Sequence, residues 1–310
     1  MMNNFLKSQC KYPSGTIVKG KWHKHRYQLV NELGAGANGV VYLAKGINGY
    51  TALKMSTDSL SITSEVNVLK AFAKVQGSAL GPSLYDVDDW EGNSGMVHFY
   101  AMEYIQGPDL LSFVREKGYS WAGVMIVQLL DVLEELHAQG WIFGDLKPEN
   151  LIVSGPTPAI RCIDVGGTTM NGRAIKEFTE FFDRGYWSLG SRKAEPTYDL
   201  FSTAMLMINL FYPQRFTKKD AGISPLKQLM EKVRLNKELN KFEPVMYKAL
   251  LGEYKFAREM KKDMLVILAE GGRYKKLNHK QKKNHTFLES ASIVLITGIL
   301  YALYLYGHIF

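Results

Sequence analysis

Apolar positions change their rhythm about a third of the way along the chain. Leu29–Leu33 is a short apolar run that leads into glycines, and Val40–Ala44 and Thr51–Met55 have the β-rich character of strands, with Gly46 and Gly49 marking a turn between them. Ser61–Ala73 then switches to helical spacing through Ile62, Val66, Leu69 and Phe72. From Leu110 onward the pattern is mostly helical. Ser120–Gln139 is apolar on most sides and predicts a core helix ended by Gly140. Two short apolar runs follow, Leu151–Val153 and Ile160–Ile163, and Asp199–Phe211 predicts another largely apolar helix. No internal repeat or low-complexity tract interrupts this order. The expectation is an α+β fold of two lobes: a basic, partly flexible arm over residues 1–25, a small β-rich lobe over 26–104, and a larger helical lobe over 105–270.

The end of the chain has a different pattern. Ser290–Phe310 carries no formal charge and matches the about 20 residues of a bilayer-spanning helix, with Tyr301, Tyr304 and Tyr306 gathered towards one end as interfacial aromatics are. A buried C-terminal helix is the other reading of so apolar a stretch. Before it, Arg273–His285 holds six Lys/Arg and no acid. Positive flanks stay on the cytoplasmic side, so a single-pass protein of the cell membrane is expected, with its folded part in the cytoplasm, a basic juxtamembrane segment over 271–289 and almost nothing outside. The first residues have no apolar core of a secretory signal.

Length and charge narrow the picture a little further. The 310 residues suffice for one two-lobed domain with a substantial core. The formal charge of +8 favours anionic partners. The two cysteines, Cys10 and Cys162, make no metal-binding spacing and suit a reducing compartment. Cys162 reads as a small core residue, with a reactive thiol as the alternative.

Chemistry enters with Gly34-Ala-Gly36-Ala-Asn-Gly39-Val-Val41. A GxGxxG turn by itself is weak, and dinucleotide folds use the same spacing before a helix. Here Val40–Leu43 reads as a strand, so the glycines form a strand–loop–strand flap whose backbone N–H groups can approach phosphates. Lys54 in Thr51-Ala52-Leu53-Lys54 would reach phosphate from the next strand, with Glu65 on the following helix as its ion-pair partner. Asp145-Leu146-Lys147-Pro148-Glu149-Asn150 places a base, a cation and a metal-binding amide in one loop after a helix. Asp164-Val165-Gly166, 14 residues after Asn150, sets a second metal-binding oxygen beyond two short strands.

Taken in order, these motifs resemble those of the eukaryotic-like, Hanks-type serine/threonine protein kinases over about residues 27–199, and the helices beyond to about Ala269. The resemblance implies the two-lobed kinase fold, ATP and Mg²⁺ as cofactors, protein substrates, and phosphoryl transfer to Ser/Thr, autophosphorylation included. It implies Asp145 as catalytic base, Lys147 as a γ-phosphate contact, Lys54 and Glu65 as the phosphate-holding pair, and Asn150 and Asp164 as Mg²⁺ ligands. It further implies Gly34, Gly36 and Gly39 over the phosphates. Val41, Ala52 and Ile152 would lie against adenine, Met102 would be the gatekeeper, and Glu103 and Ile105 would belong to the hinge. Asp199 would brace the catalytic loop. The layout of the tail is similar to that of small membrane-anchored kinases of spore-forming bacilli, which implies DNA responsiveness and a setting in sporulation.

The pattern departs from the family in four places. Phe143 and Gly144 stand for the His and Arg before the catalytic Asp, which removes the usual partner of an activation-segment phosphate. Val165 stands for a Phe, with Phe143 as its compensation in one packed column. The Ala-Pro-Glu motif is not recognisable, and Gly185–Gly190 occupies its place. Asp183 stands where a substrate-positioning threonine is expected. Thr168, Thr169 and Thr179 are candidate autophosphorylation sites, with an unmodified polar loop as the alternative.

The Arg273–His285 run has two readings that can coexist: contact with anionic lipid, and non-specific binding of duplex DNA. DNA that aligned two molecules would promote trans-autophosphorylation in a dimer. Two alternatives to an active protein kinase stay open. One is a catalytically weak kinase-fold scaffold or nucleotide-binding switch at the membrane; the other is a small-molecule phosphotransferase on a related fold.

Overall fold

A computed structural model describes residues 10–270 apart from positions 37, 48, 74–79, 94 and 220–221. Its first half is a six-stranded antiparallel sheet: β1 (Ile17–Lys19), β2 (Arg26–Gly36), β3 (Gly39–Gly46), β4 (Gly49–Ser56), β5 (Leu84–Gly92) and β6 (Gly95–Glu103), in the order β1-β2-β3-β4-β6-β5. Period-two burial sets the faces. Tyr27 and Leu29 of β2 and Tyr42 and Ala44 of β3 point into a core shared with Val18, Leu53, Met55, Val97 and Phe99. β4 is buried from Thr51 to Ser56 because strands flank it on both sides and α1 (Ser59–Phe72) packs against it. Asp58 caps α1 by accepting from the Leu60 N–H at 3.0 Å. The buried stripe of α1 runs Ile62, Glu65, Val66, Leu69 and Phe72, so a carboxylate lies on an otherwise apolar face.

Residues 10–25 are not a flexible arm. Cys10 and Val18 are fully buried, and β1 pairs with β2 through Ile17↔Gln28 and Lys19↔Arg26. The turn after β1 also reaches the far edge of the sheet, where the Lys21 N–H donates to the Asp89 carbonyl at 2.7 Å and the Trp22 N–H to Asp88 Oδ1 at 2.9 Å. The sheet therefore curls until its two edges share hydrogen bonds. Three strand residues with one buried side chain carry too little periodicity to announce this.

The second half is helical around two long elements. α2 (Leu110–Lys117) leads to α3 (Ser120–Ala138), which buries Met125, Ile126, Leu129, Leu130, Leu133 and Leu136 and stops at Gly140 with φ +77°. α4 (Pro196–Phe211) has Pro196 in its first turn and is buried on every side from Tyr198 to Phe211. Between them lie two small antiparallel ribbons: β7 (Trp141–Ile142) with β10 (Thr169–Met170), and β8 (Leu151–Ser154) with β9 (Ala159–Cys162). α5 (Pro225–Leu235) and α6 (Glu243–Leu250) complete a compact unit that extends to Lys262, and residues 257–270 are helical.

The segments read as juxtamembrane (271–289) and membrane-spanning (290–310) lie outside the described residues. Among the described residues, no helix is long and apolar enough to cross a membrane.

Candidate active site

β4 carries Lys54 into the cleft because the strand alternates and its register sets Lys54 beside Val41 on β3 and Tyr100 on β6. Its Nζ lies 2.6 Å from Glu65 Oε2 and 3.5 Å from Asp164 Oδ1. The Lys54 and Glu65 side chains are almost fully buried, so the pair persists because each charge finds an opposite charge and further hydrogen bonds. Glu65 accepts the Tyr100 hydroxyl at 2.6 Å. Burial, then the neighbouring Glu65 charge, push the Tyr100 phenol far above its ordinary range, which keeps it a donor. Burial alone would lower the Lys54 ammonium; Asp164 and Glu65 outweigh it and hold the group charged.

Asp164 follows β9. Its side chain keeps 46% of its surface, yet the carboxyl is hemmed in by protein. That desolvation would raise its pKa, but Lys54, the Gly166 N–H at 3.0 Å and Lys147 hold it below the ordinary value. It is therefore anionic at neutral pH.

The loop after β7 supplies the second cluster. Asp145 is bonded by the Lys147 ammonium, and its Oδ1 accepts the Thr179 hydroxyl at 3.0 Å. Asn150 sits in a 3₁₀ turn (Pro148–Asn150) and donates from Nδ2 to the Asp145 carbonyl at 2.9 Å, which fixes the orientation of its amide. The loop itself hangs from α4: the Phe143 and Gly144 N–H groups donate to the two oxygens of Asp199 at 2.8 and 2.9 Å, and His137 Nε2 lies 2.9 Å from Asp199 Oδ2. Gly144 has φ +83°, and a Cβ there would sit 2.7 Å from the Gly167 carbonyl. The arginine common at this position in the family has no room here. Phe143 and Val165 are each 2% exposed.

In the glycine flap, Gly34 pairs with Val41 and Gly36 with Gly39 across the β2–β3 hairpin. Only Gly39 is forced by packing: its φ is +140° and a Cβ would meet the Met55 carbonyl at 2.2 Å. Gly34 and Gly36 have open space where a side chain would be. Ala52 and Met102 are buried opposite each other on β4 and β6, while Val41 and Ile152 remain half-buried. The Glu103 carboxylate is held bidentately by Arg161 at 2.9 and 3.2 Å and by the Ser83 N–H at 3.1 Å. Burial pushes this carboxyl up, and those bonds outweigh the effect and hold it below the ordinary range. The Glu103 N–H is also committed, donating to the Ser83 carbonyl at 2.8 Å, so this residue has only its backbone carbonyl to offer a ligand, beside the backbone of Ile105.

Two residues near the site make contacts that the sequence does not announce: it marks Thr179 only as a candidate phosphorylation site and does not mark Glu177. Thr179 bonds the Asp145 carboxylate, whereas Asp183, expected in a substrate-positioning role, is fully buried. Asp183 accepts from Arg192, from the Tyr198 hydroxyl at 3.0 Å and from the Gly185 and Tyr186 N–H groups. It braces the segment that stands for Ala-Pro-Glu, together with the Arg184–Glu195 ion pair at 2.6 Å. The second is Glu177, which bonds Asn38 of the glycine flap; burial and the Asp164 charge hold its carboxyl above the ordinary range against that bond. Thr168 and Thr169 are each 1% exposed, so neither is presented as an acceptor hydroxyl in this conformation.

The donor set suits a hard divalent cation: the Asp164 carboxylate and the Asn150 side-chain amide oxygen, Oδ1, are oxygen ligands of the kind Mg²⁺ takes. A buried lysine–glutamate pair, two such oxygens and an Asp–Lys–Asn loop under a glycine hairpin define a phosphotransferase cleft between two lobes.

Comparison with known proteins agrees. The family described as "Protein kinase domain" matches residues 27–288. The chain is 56% identical over 268 residues to serine/threonine-protein kinase YabT of Bacillus subtilis, an alignment that covers 86% of this chain and 78% of that protein. Its fold is similar to vaccinia related kinase 3 (TM-score 0.62, 16% identity, 87% of this chain and 96% of that one). It is also similar to the PknI kinase domain of Mycobacterium tuberculosis (TM-score 0.60, 18% identity, 83% and 99%). The chain belongs to the protein kinase family, as a Hanks-type, YabT-like serine/threonine protein kinase.

Proposed function

We propose that this kinase moves the γ-phosphoryl group of ATP to Ser and Thr hydroxyls of proteins, itself included, from the cleft formed by the two charged clusters. The observation that carries this reading is the meeting of Lys54, Glu65 and Asp164 on one side with Asp145, Lys147, Asn150 and Thr179 on the other. Asp145 accepts the proton of the attacking hydroxyl as its oxygen bonds to phosphorus and the bond to the β-phosphate oxygen breaks, releasing ADP. Lys147 offsets charge on the transferred group. Lys54, kept in place by Glu65, holds the α- and β-phosphates. Asn150 and Asp164 would hold Mg²⁺, which when bound neutralises charge on the phosphate oxygens. Gly34, Gly36 and Gly39 let the flap come close to the phosphates. Val41, Ala52, Met102 and Ile152 enclose adenine, whose edge is met by the backbone of Glu103 and Ile105. Positioning and electrostatics suffice, with no covalent enzyme intermediate.

The kinase is anchored in the cell membrane by residues 290–310, with its catalytic unit cytoplasmic. The length and lack of charge of that segment support this, as does the basic run before it. Arg273–His285 contacts anionic lipid and binds duplex DNA without sequence preference, which brings two molecules together for trans-autophosphorylation.

The test uses the full chain in detergent micelles and in anionic vesicles with labelled ATP and Mg²⁺, with and without duplex DNA. Label on Ser or Thr, increased by DNA in the parent but not when the six Lys/Arg of 273–285 are alanine, supports the whole reading. Equal DNA response in the two removes the regulatory part. Absence of label from folded protein removes the catalytic part.

A further inference from the structure

The curl that joins the two edges of the sheet also brings two imidazoles onto one carboxylate. His23 Nδ1 lies 2.6 Å from Asp86 Oδ1, and His25 Nδ1 lies 3.0 Å from Asp86 Oδ2. His23 and His25 belong to the connection between β1 and β2, and Asp86 to β5 at the opposite edge. Lys24 between them has φ +64°, an uncommon backbone for a non-glycine residue, while its Nζ turns away to the Lys21 carbonyl at 2.6 Å. The left-handed residue sets both flanking rings toward the same acid.

The acid is held in advance. Asp86 is buried, accepts the Tyr27 hydroxyl at 2.8 Å and takes the Val87 N–H on Oδ1 at 2.9 Å. A second buried carboxylate, Asp88, has Oδ2 4.0 Å from His23 Nδ1 and is fixed by the Trp22 and His23 N–H groups. The His23 and His25 side chains keep 55% and 51% of their surface, so the open side of the cluster faces solvent.

We propose that His23, His25 and Asp86 bind a divalent transition-metal ion of the zinc type, with solvent completing the coordination, and that the ion clasps the two edges of the N-terminal sheet. Two nitrogens and a carboxylate oxygen form the donor set that Zn²⁺ accepts, and imidazole disfavours Mg²⁺ and Ca²⁺. The three donor atoms all lie within 4.8 Å of one another. Tetrahedral Zn²⁺ separates its ligands by about 3.3 Å, so the ion enters if the 2.6 Å His23 contact opens by about 0.7 Å and the donors, up to 4.8 Å apart, draw together through rotation of the two exposed rings. Each ring then presents the Nδ1 lone pair and carries its proton on Nε2. The Tyr27 hydroxyl bond to Asp86 supplies the outer support that orients a metal-bound carboxylate.

The test is titration of untagged, chelator-treated full-length protein in detergent with Co²⁺ and with Zn²⁺, beside a His23→Asn/His25→Asn variant. One equivalent of Co²⁺ should give visible d–d absorption in the parent, and the variant should bind at least about tenfold more weakly. Zn²⁺ at a hundredfold excess over its dissociation constant should raise the parent Tm by about 5–10 °C and leave the variant unmoved. No uptake by the parent, or equal uptake and equal Tm shifts in the two proteins, would overturn the assignment.

Discussion

The Thr179 hydroxyl donates to Asp145 Oδ1 over 3.0 Å, and this bond joins the activation segment to the residue that would accept the substrate proton. A hydrogen bond to a charged group contributes about 1.5–3 kcal/mol. Thr179→Val should therefore lower kcat by about ten- to a hundredfold. The KM for ATP should change little, and Thr179→Ser should recover most of the loss. Steady-state kinetics with a fixed protein substrate measures this; unchanged kcat in the valine variant would remove Thr179 from the site.

Glu65 holds Lys54 where both are buried, so Glu65→Gln leaves a buried ammonium with only the more distant Asp164. Loss of one partner of such a pair costs about 3–5 kcal/mol, less what Asp164 recovers. Thermal unfolding should show a lower Tm, and ATP titration a weaker dissociation constant. A variant equal to the parent in both would contradict the pairing.

Glu177 gives a pH signature. Its carboxyl is raised in the folded protein by burial and by the nearby Asp164 charge, so the folded state binds the proton more tightly than the unfolded state. Its contribution is favourable below the ordinary carboxylate range and is lost as pH rises through the folded value. Glu177→Gln should thus raise the Tm of nucleotide-free protein near neutral pH. The gain should shrink as pH falls toward the ordinary carboxylate range. Differential scanning fluorimetry across that range reads the slope, and a constant Tm difference would refute it.

Burial raises the Cys162 thiol to about 12 and also raises Cys10. Neither should react with a thiol reagent at neutral pH while the protein is folded, and both should react once it is denatured. Rapid labelling of folded protein would show that one of these positions opens.

Much of this site was legible because its parts are local. The glycines of the flap, Lys54 on its strand and the Asp145–Asn150 loop are short runs whose spacing is dictated by one hairpin, one strand and one turn. Glu65 could be read because a helix stripe of Ile62, Val66 and Leu69 sets it on the face that packs inward. What could not be read depends on partners far apart in sequence. Thr179 is bonded 34 residues from Asp145, and Arg161 reaches Glu103 across 58. Asp183 looks like an exposed loop acid until Arg192 and Tyr198 close over it. The clasp of residues 20–25 on β5 is a property of sheet curl, and no periodicity within either segment encodes it.

Phosphoryl transfer in this cleft depends on Asp145. Asp145→Asn in the full chain removes the proton acceptor while keeping size and hydrogen bonding. ATP affinity and phosphoryl transfer should be measured on the same preparation. The prediction is a dissociation constant for MgATP within a few-fold of the parent and a kcat lowered at least about a hundredfold, the usual scale of a lost general base. A variant that binds ATP and retains phosphoryl transfer within about tenfold of the parent would contradict the assignment of this cleft.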